Sequence, residues 1–274
     1  MLTICIILIV LLVLDLLFTL ALRCRKGHRE WEVLKKYRYA HRGYHDKPVI
    51  PENSLPAFRR AIERGFGAEL DVHLLKDGTL AVFHDSDLKR CANVEGEIED
   101  LTLDELKQLR LEGTDEQIPT FDEVLALFEH ATPLIIELKT ARGNHKALAK
   151  AVCERLDSYQ GEFCIESFDP FALIDVKKLR PEICRGQLSM NFEKDKAGLP
   201  WYKRFIAGNL LLNFLTVPDF IAYKFEDRSS YCLRSCVRVW GAQEVDWTIR
   251  TKEDLLACEA AGGIPIFERF DPAG

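Results

Sequence analysis

The chain has 274 residues, 47% of them hydrophobic, and a formal net charge of −6, with an isoelectric point near 5.7. That length holds one barrel-sized domain of about 250 residues rather than two full domains. The acidic balance excludes nonspecific nucleic-acid binding, which needs a basic footprint. Nine cysteines, an odd number without a repeated spacing, indicate a reducing compartment. Cys232 and Cys236 stand four residues apart with no second pair, a spacing that packs a helix rather than binding zinc.

Leu2 to Leu22 is almost unbroken Leu, Ile and Val, and as a helix it reaches about 30 Å, the thickness of bilayer hydrocarbon. Asp15 opposes insertion by about 2.5 to 3.5 kcal/mol, but each Leu, Ile, Val or Phe returns about 0.3 to 0.6, and together they outweigh it. No Lys or Arg precedes the stretch and no small-x-small site follows it, so an uncleaved anchor is expected over a signal peptide. Arg23, Arg25, Lys26 and Arg29 all flank the carboxyl side, which places the rest of the chain on the cytoplasmic face of a single-pass membrane protein. Residues 1–23 are therefore read as the transmembrane anchor, 24–37 as a basic, amphipathic linker and 38–274 as the main domain.

Within the linker, Trp31, Leu34 and Tyr37 share helical spacing, and this short helix is expected to rest on the membrane or on the floor of the domain. Tyr39 to His41 is a short strand. Asn53 or Ser54 caps a helix from Leu55 to Arg64, with Pro56 in its first turn and Gly65 as its stop. Strands at Ala68 to Leu74 and Thr79 to Phe83 flank a Lys76-Asp77-Gly78 turn. Residues 86–119 lose strand character and form a small insertion, with a capping box at Thr102 and Glu105 opening a helix from Leu103 to Leu111. A second capping box, Thr120 with Glu123, opens a helix to His130, and Leu134 to Lys139 is a buried strand. The remainder alternates: helix Asn144 to Tyr159, strand Phe163 to Ser167, helix Asp169 to Leu179, strand Ile183 to Leu188, helix Pro200 to Leu215 and strand Phe220 to Tyr223. Strand-like Arg238 to Gly241 and Asp246 to Ile249 follow, then helix Thr251 to Ala261 and strand Ile264 to Phe267. Alternation implies a parallel sheet, either a barrel or an open doubly wound one.

Five short motifs stand in order between Ala40 and Lys139: His41-Arg42-Gly43, Pro51-Glu52-Asn53-Ser54, Glu69-Leu70-Asp71, His84-Asp85 and Glu137-Leu138-Lys139. Side chains two apart on a strand share a face, so Glu69 lies beside Asp71 and Glu137 beside Lys139. Three carboxylates converging on one volume persist readily only around a cation, and an all-oxygen set suits Mg2+ or Ca2+ better than zinc. His41 and His84 supply groups that exchange protons near neutral pH.

The segment from Tyr39 to Lys139 closely resembles the glycerophosphodiester phosphodiesterase family on this ordered set. The resemblance implies an α/β fold, a (β/α)8 TIM barrel of the phospholipase-C-like phosphodiesterase type with a small inserted subdomain. It implies Glu69, Asp71 and Glu137 as metal ligands, His41 and His84 as acid and base, and Arg42 and Lys139 as phosphate-binding cations. The implied reaction hydrolyses a glycerophosphodiester to a phosphomonoester and an alcohol through a cyclic phosphate. A lysophospholipase D acting on membrane lysolipids and a non-catalytic lipid or phosphate sensor are the competing readings, and oligomeric state is left open.

Phe168, Trp240 and Trp247 occupy or follow late strands and are candidates to line a substrate pocket, with core packing as the alternative. Trp201, Tyr202, Phe205 and Ile206, beside Lys203 and Arg204, form either an interfacial patch or an ordinary barrel helix. His73 is read as peripheral, and His28, His45, His130 and His145 as exposed residues without partners. The chain departs from the family near its end. Phe267-Glu268-Arg269-Phe270 stands in place of a Thr-Asp ending and no final helix pattern follows, so closure of the barrel is open, with the segment near Trp31 a candidate to cover a gap.

Overall fold

The computed structural model describes residues 1–195 and 198–272. In chain order the elements are α1 Leu2–Ala21, α2 Trp31–Leu34, β1 Tyr39–Ala40, α3 Leu55–Glu63, β2 Gly67–Leu74, β3 Leu80–Val82, α4 Lys89–Ala92, a 3-10 turn Ile98–Asp100 and α5 Leu103–Leu106. There follow α6 Phe121–Phe128, β4 Leu134–Leu138, α7 His145–Leu156, β5 Phe163–Ser167, α8 Pro170–Leu179, β6 Arg185–Ser189, α9 Phe192–Asp195, α10 Trp201–Gly208 and α11 Asn213–Thr216. The last elements are β7 Phe220–Lys224, α12 Tyr231–Ser235 running into a π turn Cys236–Trp240, β8 Gln243–Ile249, α13 Lys252–Ala260 and β9 Ile264–Phe267.

Eight parallel strands close in the order β1-β9-β8-β7-β6-β5-β4-β2 and back to β1, while β3 pairs antiparallel with β2 outside the ring. This is a (β/α)8 barrel. Closure comes from the two-residue β1, where Tyr39 opposes Gly67 on one side and Ile266 on the other. The ring extends upward through His41 N, which donates to Phe267 O at 2.8 Å, and Glu268 N, which donates to Ile249 O at 3.0 Å. The tail after β9 is stitched back by Arg38 to Pro272 O at 2.7 Å and by Arg64 to Asp271 at 2.6 Å.

Alternation along each strand separates two cores. Ala68, Leu70, Val72, Ile136, Leu138 and Ile165 face outward onto α3, α6, α7 and α8. Inward, the lower half is apolar: Ile135, Cys164, Cys184, Phe220, Val245 and Ile264 meet Trp31 and Leu34 from α2. The expected amphipathic linker therefore plugs the barrel floor instead of covering a lateral gap. Trp31 meets Phe220 edge-on at 5.1 Å, and Phe220 fits there because any Cβ at Gly186 would come within 2.1 Å of its ring. Tyr39 closes the seat by donating its hydroxyl to Leu34 O at 2.9 Å.

Residues between β3 and α6 form a satellite core of their own, with Phe83, Leu88, Cys91, Ile98, Leu106, Leu111 and Ile118. Both capping boxes are present, although the first opens a helix that stops at Leu106. Two further elements differ from expectation in kind. The single helix expected over Pro200 to Leu215 is two, because Leu210 takes a left-handed backbone (φ 57°) between α10 and α11. Arg238 to Gly241 is not strand-like: Arg238, Val239 and Trp240 continue α12 as the π turn, since Cys236 is buried against Leu22 and Trp240 packs beside it.

α1 is 20 residues long with a mean hydropathy of 3.1 in its most apolar window, long and apolar enough to cross a membrane, a description that a signal sequence also meets. Its last turn and the residues after it are seated on the barrel. Leu22 and Cys24 are buried among Leu210, Ile221, Tyr223 and Leu233, and Arg25 pairs with Asp219 at 2.5 Å. All nine cysteines are free thiols.

Replacing Trp31 by Ala empties the barrel floor and is expected to lower unfolding free energy by about 3 to 5 kcal/mol, with Trp31→Phe losing distinctly less; urea denaturation of the two variants measures both.

Candidate active site

The inward face turns from apolar to acidic one pleat higher. On β4, Ile135 is followed by Glu137; on β5, Cys164 by Glu166; β2 adds Glu69 and Asp71. The four carboxylates are all at most 7% exposed. Oxygens of Glu69, Asp71 and Glu137 lie within 4.8 Å of one another, at the carboxyl end of the strands, where barrel enzymes hold their chemistry.

Cations reach them from above. Lys139 Nζ stands 3.1 Å from Glu137 Oε1 and 3.4 Å from Asp71 Oδ1, and Arg42 Nε stands 3.7 Å from Asp71 Oδ2. Arg42 has a left-handed backbone (φ 56°), which aims its N–H at Glu69 Oε2, 3.0 Å away. Gly43 follows at φ 77°, pressed so closely on α3 that a Cβ would lie 2.9 Å from that of Ala57. Hence the His-Arg-Gly motif: backbone geometry demands the glycine. Ser54 caps α3 by accepting from Ala57 N, and Asn53 is left free to donate to Asp71 Oδ2 at 2.8 Å.

The charges remain unbalanced. Glu69 is pushed well above its ordinary value, by burial first and then by Asp71, Glu137 and Glu166. Glu137 and Glu166 are raised for the same leading reason. Burial works on Asp71 too, but Lys139, His84, Arg42 and the Asn53 hydrogen bond hold it low. Asp71 Oδ1 nevertheless makes no hydrogen bond. An all-oxygen donor set, one of its oxygens without a donor and two of its members driven toward neutrality, fits a hard divalent cation. A second acidic group, Glu52 with Cys91 and Glu112, is already answered by side chains: Arg42 at 2.8 Å, Arg90 at 2.7 Å and Lys47 all reach Glu52, and Lys47 reaches Glu112 at 2.6 Å.

Each of the two histidines is held at Nδ1, which leaves Nε2 turned to the site. His41 Nδ1 lies 2.7 Å from Glu268 Oε2, and its Nε2 lies 4.0 Å from Glu69. Burial and the neighbouring Arg42 push His41 down to about 4 against the pull of Glu268. Glu268 in turn accepts from Arg250 Nε at 2.9 Å. His84 Nδ1 meets Asp85 at 2.5 Å, and Asp85 accepts from Arg90 Nε at 2.5 Å. His73 sits behind, engaging Glu99 at 2.6 Å and the carbonyl of His84 at 3.2 Å.

A cavity of about 170 Å³ is lined by His84, Glu137, Lys139, Ser167 and Phe168 among others. Trp247 meets Phe168 edge-on at 5.7 Å. A larger cleft of about 410 Å³ between loop 44–47 and residues 269–271 holds none of these carboxylates and neither His41 nor His84. His41, Arg42, Glu69, Asp71, His84, Glu137, Lys139, Phe168 and Trp247 thus gather at one end of the barrel. Trp240 does not; it docks on α1, donating Nε1 to Thr19 O at 3.0 Å. His45, expected exposed, is buried 3.8 Å from Glu268. His28 and His145 also have partners, the carbonyl of Glu182 at 2.8 Å and Asp175 at 2.7 Å.

The sequence reading missed Glu166, whose only signal is an acidic residue inside a buried strand. Glu268 as the partner of His41 left no local signal, since 227 residues separate them.

Residues 41–262 match the glycerophosphoryl diester phosphodiesterase family, and the chain belongs to it. It is 33% identical over 243 residues to a glycerophosphodiester phosphodiesterase of Caldanaerobacter subterraneus, spanning 84% of this chain and 92% of the relative. A phosphodiesterase structure from Oleispira antarctica, in complex with the product sn-glycerol-3-phosphate, aligns with a TM-score of 0.68 at 26% identity, covering 85% of this chain and 92% of that one. A human lysophospholipase D is 35% identical over 124 residues, 40% of this chain and 38% of that protein. Members of the family are typically dependent on a divalent metal.

Glu69 binds its proton more tightly folded than unfolded, so the unbalanced carboxylate lowers stability progressively as pH climbs above its ordinary 4.5. In chelator, Glu69→Gln is expected to melt above the unsubstituted protein at pH 8, by about 2 to 4 °C per kcal/mol relieved, with the gap closing toward pH 4. Added divalent metal should raise the melting temperature of the unsubstituted protein and not that of the variant; differential scanning fluorimetry reads both.

Proposed function

We propose that this protein is a membrane-anchored, metal-dependent glycerophosphodiester phosphodiesterase, hydrolysing a glycerophosphodiester to a glycerol 3-phosphate type of monoester and an alcohol. The observation that carries it is the convergence of Glu69, Asp71 and Glu137 beside Arg42 and Lys139, with His41 and His84 each oriented by a carboxylate. The three carboxylates would hold Mg2+ or Ca2+, which when bound polarises the phosphoryl oxygens and organises the glycerol hydroxyl. Arg42 and Lys139 bind the phosphate, Arg42 through a planar fork and Lys139 as a point charge that offsets negative charge developing at phosphorus.

His41 and His84 divide the proton transfers. One Nε2 accepts the proton of the attacking glycerol hydroxyl while the other donates to the departing alcohol oxygen; water then opens the cyclic phosphate with the roles exchanged. Glu268 and Asp85 fix the tautomers, because a carboxylate at Nδ1 keeps the proton there. Phe168 and Trp247 would pack against the alcohol.

In this reading residues 1–23 anchor the protein in the cell membrane as a single pass, 24–37 link and plug, and 38–274 form the catalytic barrel with its insertion at about 86–119, on the cytoplasmic side by the positive-inside rule. Use of a lysophospholipid is a second reading, favoured by the anchor and by the apolar Phe168 and Trp247 pair.

Phosphorus NMR of glycerophosphocholine and lysophosphatidylcholine with purified protein is expected to show a glycerol 3-phosphate type of product for the first in Mg2+ or Ca2+ and none in chelator; His84→Ala, still folded and binding metal, should give none either, and turnover at the unsubstituted rate would overturn the assignment. Glu268→Ala is expected to lower kcat by about 10- to 100-fold with little change in KM, and Glu268→Gln by less, because misoriented imidazole harms the transition state more than binding; steady-state kinetics of the pair tests it.

A further inference from the structure

Away from α1 itself, several large exposed apolar side chains lie on α10, α11, α12 and the π turn after it: Trp201 and Tyr231 are 71% and 70% exposed, and Tyr202, Phe205, Phe214 and Val239 also face solvent. Isolated apolar residues on a surface are ordinary, but this many large exposed ones, most of them aromatic, on neighbouring helices are not. The three helices meet around the root of α1. Leu22 is buried against Leu210 and Leu233, and Cys232 Sγ donates to Asn209 Oδ1 at 3.3 Å, joining the end of α10 to α12.

The root of α1 is held rigidly. Phe18 stacks on Tyr231 with ring centroids 6.1 Å apart, Trp240 Nε1 donates to Thr19 O at 3.0 Å, and Arg25 grips Asp219 at 2.5 Å. A helix of 20 residues rises about 30 Å, no more than the hydrocarbon it would cross. If Leu2–Ala21 spans, Phe18 and Thr19 lie at the leaflet edge, and the side chains touching them lie there too. Tyr231 and Trp240 are therefore carried to headgroup depth, where Tyr and Trp are most at ease. Exposed Arg23, Lys203 and Arg238 are placed to meet lipid phosphates.

We infer that the face built by α10, α11 and α12 around the exit of α1 docks flat on the phospholipid bilayer. This rests on the membrane-anchor reading above and goes beyond it: a span alone would let the barrel hang on a linker, whereas here the barrel is pinned to the surface. It also places the catalytic mouth. Ile206 and Ala207, on α10, line a narrow apolar cleft with Phe168, and Phe168 also lines the cavity of His84 and Lys139, so one side of α10 meets lipid while another reaches the site cavity through that one shared ring.

The test uses the full chain reconstituted in phosphatidylcholine and phosphatidylglycerol vesicles, part of the phosphatidylcholine carrying bromines high on the acyl chains. Trp31, in the barrel floor, and Trp247, beside Phe168, are out of reach of the bromines, and Trp201 and Trp240 are within reach. Trp201→Phe is expected to remove about half of the bromine-quenchable tryptophan fluorescence. Protein that resists alkaline carbonate extraction yet shows the same quenchable fraction with and without Trp201→Phe would overturn the docking face and leave the anchor standing; protein released by carbonate would overturn both.

Discussion

Glu69, Asp71, Glu137 and Glu166 share the upper interior of the barrel, none more than 7% exposed, and the cations that reach them are Arg42 and Lys139. Two unit charges about 4 Å apart repel by about 4 kcal/mol at an effective dielectric of about 20, so the group is tolerable only with protonation or a divalent ion. The rest of the site is arranged around that excess. Asn53 donates to Asp71, the strained backbone of Arg42 donates to Glu69, and Lys139 lies between two strands' carboxylates. Stability is given up at this one level of the barrel to hold a metal-ready site, a common bargain in enzymes.

The floor makes that possible. Trp31 and Leu34 close the lower interior with a dry apolar layer, and Gly186 leaves the space that Phe220 needs to meet Trp31. The same linker that supplies this plug descends from the root of α1 through the Arg25 and Asp219 pair. The seating of α1 and the integrity of the barrel thus depend on one continuous stretch of about a dozen residues, from Leu22 to Leu34.

Above the carboxylates the two histidines are built alike from unrelated parts. His41 leans on Glu268, which leans on Arg250; His84 leans on Asp85, which leans on Arg90. Arg90 then reaches Glu52, which Arg42 also holds, so the insertion and the first loop are joined by ion pairs to Arg42. A carboxylate behind each imidazole fixes which nitrogen carries the proton, the condition for two histidines to serve as acid and base in turn.

The ordered motifs carried the family, the carboxylate trio and both histidines, because residues two apart on a strand must share a face and because each motif is local. Capping boxes at Thr102 and Thr120, the stop at Gly65 and the apolar run of α1 were legible for the same reason: the partners lie within a few residues. Sequence misjudged Arg238 to Gly241, where Val239 and Trp240 favour a strand but burial of Cys236 against Leu22 holds a π turn, and the break at Leu210, where a left-handed residue splits one helix into two. Tertiary structure alone decided that β1 closes the ring, that Glu268 rather than a nearby residue orients His41, that Glu166 joins the acidic layer, and that Trp240 belongs to the root of α1. Each of these depends on contacts between segments far apart in the chain, and local periodicity sets which face a residue takes without setting what stands opposite it.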